Sequence, residues 1–216
     1  MTAQSLINES RFQLNDPNKE FYSDNELLAY LNAGIRFLAG ELKLWATSEE
    51  IALYGDTDTY TIQGSMVQPI KCYDSNGNRR PINENNYENS SFTSSRTEAL
   101  YGIDPYSIFV ISPKQIQVIK AEDDVILSFD YYNIPAEYAL ASEMTEISYA
   151  QTNLLSFYIM YRAALKTRGQ ANEFTIANKN AMQQIWLQEL NAYKAQNPTT
   201  YFRDEMPNRL FEKGVL

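Results

Sequence analysis

The chain has 216 residues, a net charge of −9, and 44% hydrophobic and 13% aromatic residues. This composition is typical of a folded protein and excludes a disordered one, and the length suffices for one domain, with or without an insertion. No run of about 18 apolar residues occurs, so we predict no membrane span. The first residues lack the basic start and apolar stretch of a signal peptide, so none is expected.

The sequence contains no histidine and one cysteine, Cys72. The commonest general base is therefore missing, and neither a Ser-His-Asp nor a Cys-His nucleophile system can be built. One thiol supplies neither an internal disulfide nor a structural zinc site. Cys72 lies in an apolar run, which favours a buried small hydrophobe. We predict a protein that is not an enzyme, with no catalytic residues, no cofactor and no metal.

Two helices are predicted at the start of the chain. The first covers residues 2–14, with Leu6, Ile7 and Phe12 facing inward, and ends at Asp16-Pro17, because proline disfavours helix at the residue before it. The second covers about 24–46. Ser23 is its predicted N-cap, and Glu26, three residues later, completes the spacing of a capping box.

The second helix carries two apolar stripes at steps of three, four and seven residues. Two stripes predict two neighbours, one from the same chain and one from another subunit. We expect the shorter stripe to form the subunit interface. The longer stripe is Leu27, Leu31, Ile35, Leu38, Leu42 and Trp45, and the shorter is Tyr30, Phe37 and Leu44.

Residues 49–132 are predicted to form strands, because short apolar or alternating runs are separated by turn residues. Two runs, 51–54 and 60–62, flank a Gly-Asp-Thr-Asp turn and predict a hairpin, and a second hairpin is predicted through Glu122-Asp123. Asn76-Gly77 is a strong turn signal. In the last strand, alternation predicts one buried face made of Val125, Leu127, Phe129 and Tyr131.

The middle of the chain is acidic. Residues 48–150 carry 6 basic and 16 acidic side chains, which gives this segment a net charge of −10. The charge is consistent with solubility alone, or with a surface that lets nucleic acid pass without binding it. The densest cluster, Glu122-Asp123-Asp124, lacks the alternate spacing of a calcium loop and is predicted to be a solvated turn.

Two more helices and a tail complete the chain. A helix over 148–168 begins at a capping box of Ser148 and Gln151, and another covers 171–195. The last eighteen residues, 199–216, are unusually apolar for a tail. They either fold back on their own subunit or form an arm that docks on a partner. The fold class is therefore α+β: a helical bundle of N- and C-terminal helices, with an inserted β-rich subdomain and an extended C-terminal arm.

The order of elements gives four predicted segments. Residues 1–47 are the N-terminal helices of the bundle, 48–135 the inserted β-rich subdomain, 136–198 the C-terminal helices of the bundle, and 199–216 the arm.

The stretch Leu14-Asn15-Asp16, followed by Phe21-Tyr22-Ser23-Asp24-x-Glu26-Leu27-Leu28-x-Tyr30-Leu31-Asn32-x-Gly34, resembles the start of tailed-bacteriophage head–tail adaptor proteins, also called connector or head-completion proteins. The motif covers about residues 14–36. The family's β insertion opens with a Leu-x-x-Gly-x-x-x-Tyr pattern, and the nearest match here is Leu53, Gly55 and Tyr60, with the spacing off by one on each side. The family often has a proline shortly after that tyrosine, where this chain has Thr61-Ile62-Gln63-Gly64.

The resemblance implies a virion structural protein that is made in the host cytoplasm and sits at the head–tail junction. Such adaptors form a homo-oligomeric ring, typically a dodecamer, which binds the portal protein and receives the next tail component. DNA passes through the lumen without sequence-specific binding, and no membrane is involved. A non-enzymatic binding or regulatory domain of a soluble complex is the alternative. The residues expected in the portal-binding arm are Tyr201, Phe202, Arg203, Arg209, Leu210 and Phe211.

Overall fold

A computed structural model describes residues 1–54, 59–83, 108–118, 125–166 and 173–196. Within these ranges the chain forms helices and sheets, so the α+β class is confirmed. The helices are α1 (Ala3–Gln13), α2 (Asp24–Leu42), α3 (Tyr149–Leu165) and α4 (Glu173–Gln196). The strands are β1 (Ala46–Ala52), β2 (Thr59–Thr61), β3 (Met66–Asp74), β4 (Ile82–Asn83), β5 (Ile108–Ser112), β6 (Gln115–Val118) and β7 (Ile126–Asn133).

Contacts divide the chain into two compact units. Met1–Gly34 and Tyr138–Leu216 form one, here called the helical unit, and Ile35–Glu137 form the other, here called the β unit. The division falls inside α2.

Local capping sets where α1 and α3 begin. The Thr2 and Ser148 side chains each accept the backbone N–H of the residue three positions later, and the side chains at those positions accept in return. The capping box predicted at Ser148 is thus confirmed. The inward position predicted for Phe12 is wrong, because its side chain is 80% exposed.

The second helix ends earlier than predicted. The Ser23 hydroxyl accepts the Glu26 N–H at 3.2 Å, as expected of an N-cap, but α2 stops at Leu42. Lys43 has a φ of 48°, which is left-handed backbone, and its N–H closes the last turn on Ala39. Leu44 and Trp45 therefore lie outside the helix, and the predicted stripe of Tyr30, Phe37 and Leu44 is not a single helical stripe. The longer stripe is buried at Leu27, Leu31, Ile35, Leu38 and Leu42.

In the helical unit, α3 packs against both α1 and α4. The rings of Tyr158 and Trp186 meet edge to face with centroids 5.2 Å apart. A Cβ added at Gly34 of α2 would lie 2.8 Å from the Tyr158 ring, so glycine is needed for this close approach. On the α1 side, the hydroxyls of Ser10 and Ser156 lie 3.1 Å apart and are buried.

The β unit contains two sheets. The first has the strand order β1-β7-β3 and is antiparallel, and the second has the order β2-β6-β5-β4, in which β4 and β5 are parallel. Both predicted hairpins are wrong, because β1 and β2 lie in different sheets and so do β6 and β7. The alternation predicted for β7 is confirmed at Leu127, Phe129 and Tyr131, which are buried while Ile126 is 45% exposed.

The core of the β unit lies among buried residues of both sheets, and Cys72 is fully buried there as predicted. The predicted Asn76-Gly77 turn follows β3, and Gly77 has the positive φ of 78° that such turns require. Asp74 closes the turn, since its carboxylate accepts the backbone N–H groups of Asn76 and Asn78.

Candidate assembly site

The Leu14–Asp16 motif makes a sharp turn between α1 and α2. Asn15 adopts a φ of 55°, a conformation that asparagine tolerates better than most residues. The turn directs the Asp16 carboxylate back into the protein, where it is buried. One Asp16 oxygen accepts the N–H groups of Glu20 and Phe21 at 2.8 and 3.0 Å, and the other accepts that of Tyr22 at 3.0 Å. One carboxylate therefore orders the loop that leads into α2.

Arg11 neutralises this buried carboxylate. Its guanidinium donates to Asp16 at 2.9 Å and to Asp24 at 2.9 Å, and the side chains of Arg11 and Asp16 are 3% and 1% exposed. Lys19 completes the cluster through a bond of 2.6 Å to Asp24. We call Arg11, Asp16, Lys19 and Asp24 the junction cluster, because it joins the end of α1 to the start of α2.

The carboxylates of the junction cluster are held in the charged form. Burial alone would raise the pKa of Asp16, but the three backbone N–H groups and the Arg11 guanidinium outweigh burial and leave this pKa below its ordinary value. The hydrogen bond from Lys19 is the main cause that lowers the pKa of Asp24, and Arg11 adds to it against burial.

Sequence reasoning missed the junction cluster. It interpreted Asp16-Pro17 as the end of the first helix and Asp16 as part of the family motif, and it assigned no role to Arg11. A signal was present, because an aspartate directly after a helix and before a polar loop commonly accepts backbone N–H groups of the residues that follow. The partner Arg11 lies five residues earlier, on the last turn of α1.

Tyr30 contacts its own chain. Its hydroxyl donates to the Glu26 carboxylate at 2.8 Å, and the Arg162 guanidinium lies 5.8 Å from its ring centre. Glu26 also accepts from Lys166 at 2.6 Å. Burial, followed by the Glu26 hydrogen bond, raises the pKa of Tyr30 to about 12. Tyr30 thus belongs to a contact between α2 and α3, and a role in subunit contact stays a prediction.

The other two residues predicted for the subunit interface lie on different elements. Phe37 is on α2 with 37% of its surface exposed, and Leu44 is half-buried in the short segment before β1. The arm residues Tyr201, Phe202, Arg203, Arg209, Leu210 and Phe211 lie outside the described residues. The acidic triplet 122–124 does too.

The described residues contain neither a metal-binding cluster nor a helix that could cross a membrane, and their one cysteine is unreactive. In these ranges no group of three or more histidine, cysteine, aspartate or glutamate side chains could hold a metal ion. Burial, with the nearby Asp130 charge, raises the pKa of the Cys72 thiol to about 12, which makes it a poor nucleophile. No helix within the described ranges has both the length and the hydropathy for crossing a bilayer.

Comparison with known proteins identifies the family. A family model described as SU10 adaptor protein matches residues 1–209. The chain therefore belongs to the SU10 adaptor protein family, which confirms the resemblance to phage head–tail adaptors. Membership makes the chain a structural component of a bacteriophage virion that interacts with other head or tail components. No curated protein gives a significant match.

Proposed function

We propose that the protein is a ring-forming head–tail adaptor that binds the portal, connects it to the tail and lets DNA pass through its lumen. The family match from residue 1 to residue 209 carries this proposal. It spans the junction cluster and both units, and it reaches into the predicted arm as far as Arg209.

The portal-binding element in this proposal is the arm, residues 199–216. Aromatic side chains fill pockets on a partner, and arginines pair with carboxylates, so Phe202 and Arg209 are suited to docking. The bundle of 1–47 with 136–198 makes the contacts between subunits of the ring, and the subdomain 48–135 is inserted between its two parts in the sequence. The net charge of −10 on residues 48–150 supports this proposal, because an acidic surface that lines the lumen would let DNA slide past without binding it.

Deleting residues 199–216 tests the arm. We expect the truncated chain to keep its helix content by circular dichroism and to lose most of its binding to purified portal protein. A paired substitution, Tyr201→Ser with Phe202→Ser, should weaken binding in the same direction. Phe12→Ser is a matched control, because Phe12 is an exposed aromatic outside the arm. Equal portal binding by the truncated and full chains would contradict an arm that docks on the portal.

The subunit interface is tested separately. Phe37→Ser should reduce ring assembly, because it removes a partly exposed aromatic from α2. If the arm variants and Phe37→Ser all assemble and bind as the parent does, these residues do not form the portal and subunit contacts. A parent chain that neither assembles nor binds the portal would support the alternative, a non-enzymatic binding or regulatory domain of a soluble complex.

A further inference from the structure

The loop between β2 and β3 donates its backbone hydrogen bonds to side chains of distant strands. The Gln63 N–H donates to both oxygens of the Glu49 carboxylate at 3.0 Å. The next N–H, from Gly64, donates to the Tyr131 hydroxyl at 3.1 Å, and that of Ser65 donates to the Asn133 side-chain oxygen at 2.8 Å. Three consecutive donors are therefore satisfied by three side chains.

The acceptors are connected to one another. The Tyr131 hydroxyl accepts from Gly64 and donates to Glu49 at 3.0 Å, so the carboxylate receives both a backbone and a side-chain donor. Glu49 lies on β1, while Tyr131 and Asn133 lie on β7, the central strand of the first sheet. The Tyr131 ring is 2% exposed, so its hydroxyl has a fixed position.

The same loop is also bonded to the second sheet. The Ile62 and Met66 N–H groups flank the three donors and donate to the carbonyls of Lys114 and Pro113 at 3.0 and 2.7 Å. Those two residues form the turn between β5 and β6. Five successive backbone donors, 62–66, are thus distributed over both sheets of the β unit, and a proline at any of these positions would remove one of them.

Gly64 is required for this arrangement. A Cβ at this position would lie 2.5 Å from the Tyr131 hydroxyl oxygen and 2.7 Å from the Asn133 side-chain oxygen. Either distance is too short for a carbon in contact with oxygen, so the loop could not approach the two acceptors.

We propose that residues 62–66 form a clamp that fixes the two sheets of the β unit to each other, with Glu49 as the charged acceptor that holds it closed. The clamp opens as a unit when the Glu49–Tyr131 acceptor pair is broken. The reason is that Gln63 and Gly64 donate to groups that are themselves hydrogen-bonded to each other.

Amide hydrogen exchange of the full chain, followed residue by residue by NMR, tests the clamp. Tyr131→Phe keeps the ring but removes the hydroxyl, so we expect the Gly64 amide to exchange about tenfold faster or more. Glu49→Gln keeps one acceptor oxygen and should speed exchange at Gln63 by a smaller factor. Glu50→Gln is the matched control on the same strand, since Glu50 is exposed on the opposite face of β1.

The double variant, Glu49→Gln with Tyr131→Phe, separates a clamp from independent contacts. Because the two groups share a hydrogen bond, the combined acceleration at Gln63 and Gly64 should be clearly smaller than the product of the two single effects. The proposal is overturned if the single variants exchange at the rate of Glu50→Gln, or if the two effects multiply. A uniform acceleration that includes α3 would also overturn it. None of these outcomes bears on portal binding.

Discussion

Two loops of this protein are ordered by backbone N–H groups that donate to side chains, and they differ in how far away those side chains lie. At the α1–α2 junction the acceptor is Asp16, four to six residues before the donors. At the clamp, Gly64 and Ser65 donate across 67 and 68 residues. The first loop depends on local contacts, whereas the second depends on contacts between residues far apart in the sequence, which cost more loop-closure entropy. The junction should therefore tolerate damage to the β unit better than the clamp does.

Removing Asp16 should give the largest effect. Asp16→Ala leaves the buried Arg11 guanidinium with one carboxylate fewer and three backbone donors without their acceptor, so we expect a loss of about 3–5 kcal/mol in the free energy of unfolding. Urea unfolding followed by circular dichroism measures it. Lys19→Ala is the control from the same cluster, because the Lys19 side chain is 53% exposed and its loss should cost less than about 1 kcal/mol. Equal losses in the two variants would show that the buried charge is not what stabilises the junction.

Two glycines should respond to alanine with opposite signs. Gly64→Ala forces the clamp loop away from Tyr131 and should destabilise the protein by about 1–3 kcal/mol. Gly40→Ala places its Cβ in open space on α2 and should stabilise the protein by about 0.5–1 kcal/mol, because glycine is unfavourable within a helix. The midpoints of thermal unfolding should move in opposite directions. A neutral or stabilising Gly64→Ala would remove the steric argument for the clamp.

Acid should lower the stability that the junction cluster provides, and we expect this to be the smallest of the three predicted effects. The pKa values of Asp16 and Asp24 lie below their ordinary value of 3.8 in the folded chain, so the unfolded chain takes up protons first as the pH falls. Their stabilisation reaches its full size above about pH 5 and is lost as the pH falls through the lowered pKa values. Urea midpoints between pH 7 and pH 2.5 should fall less in Asp24→Asn than in the parent. An identical decline in both chains would mean that Asp24 does not contribute.

The sequence predicted those parts of the fold that depend on neighbouring residues. The N-caps at Ser23 and Ser148, the Asn76-Gly77 turn and the alternation along β7 each use residues within a few positions, and all four are present. The family could be recognised for the same reason, since its motif covers one continuous stretch, 14–36.

Features that depend on long-range pairing could not be predicted. The two hairpins expected from adjacent strands do not form, because β7 pairs with β1 and β3 and buries its apolar face there. The end of α2 was missed because Lys43 carries no common helix-stop signal. The clamp could not be predicted either. The one hint in the sequence was that residues 61–64 lack the proline that the family often has after the tyrosine matched by Tyr60. Ile62 and Gln63 both use their N–H groups, which proline does not have.

The mass of the complex formed with purified portal protein tests the proposed function most directly. Mass photometry of the mixture should show a portal particle whose added mass corresponds to a ring of copies of this chain. Electron microscopy should place that ring on the portal axis. A chain that stays separate from the portal at every concentration, or adds as one or two copies without closing a ring, would contradict the adaptor assignment.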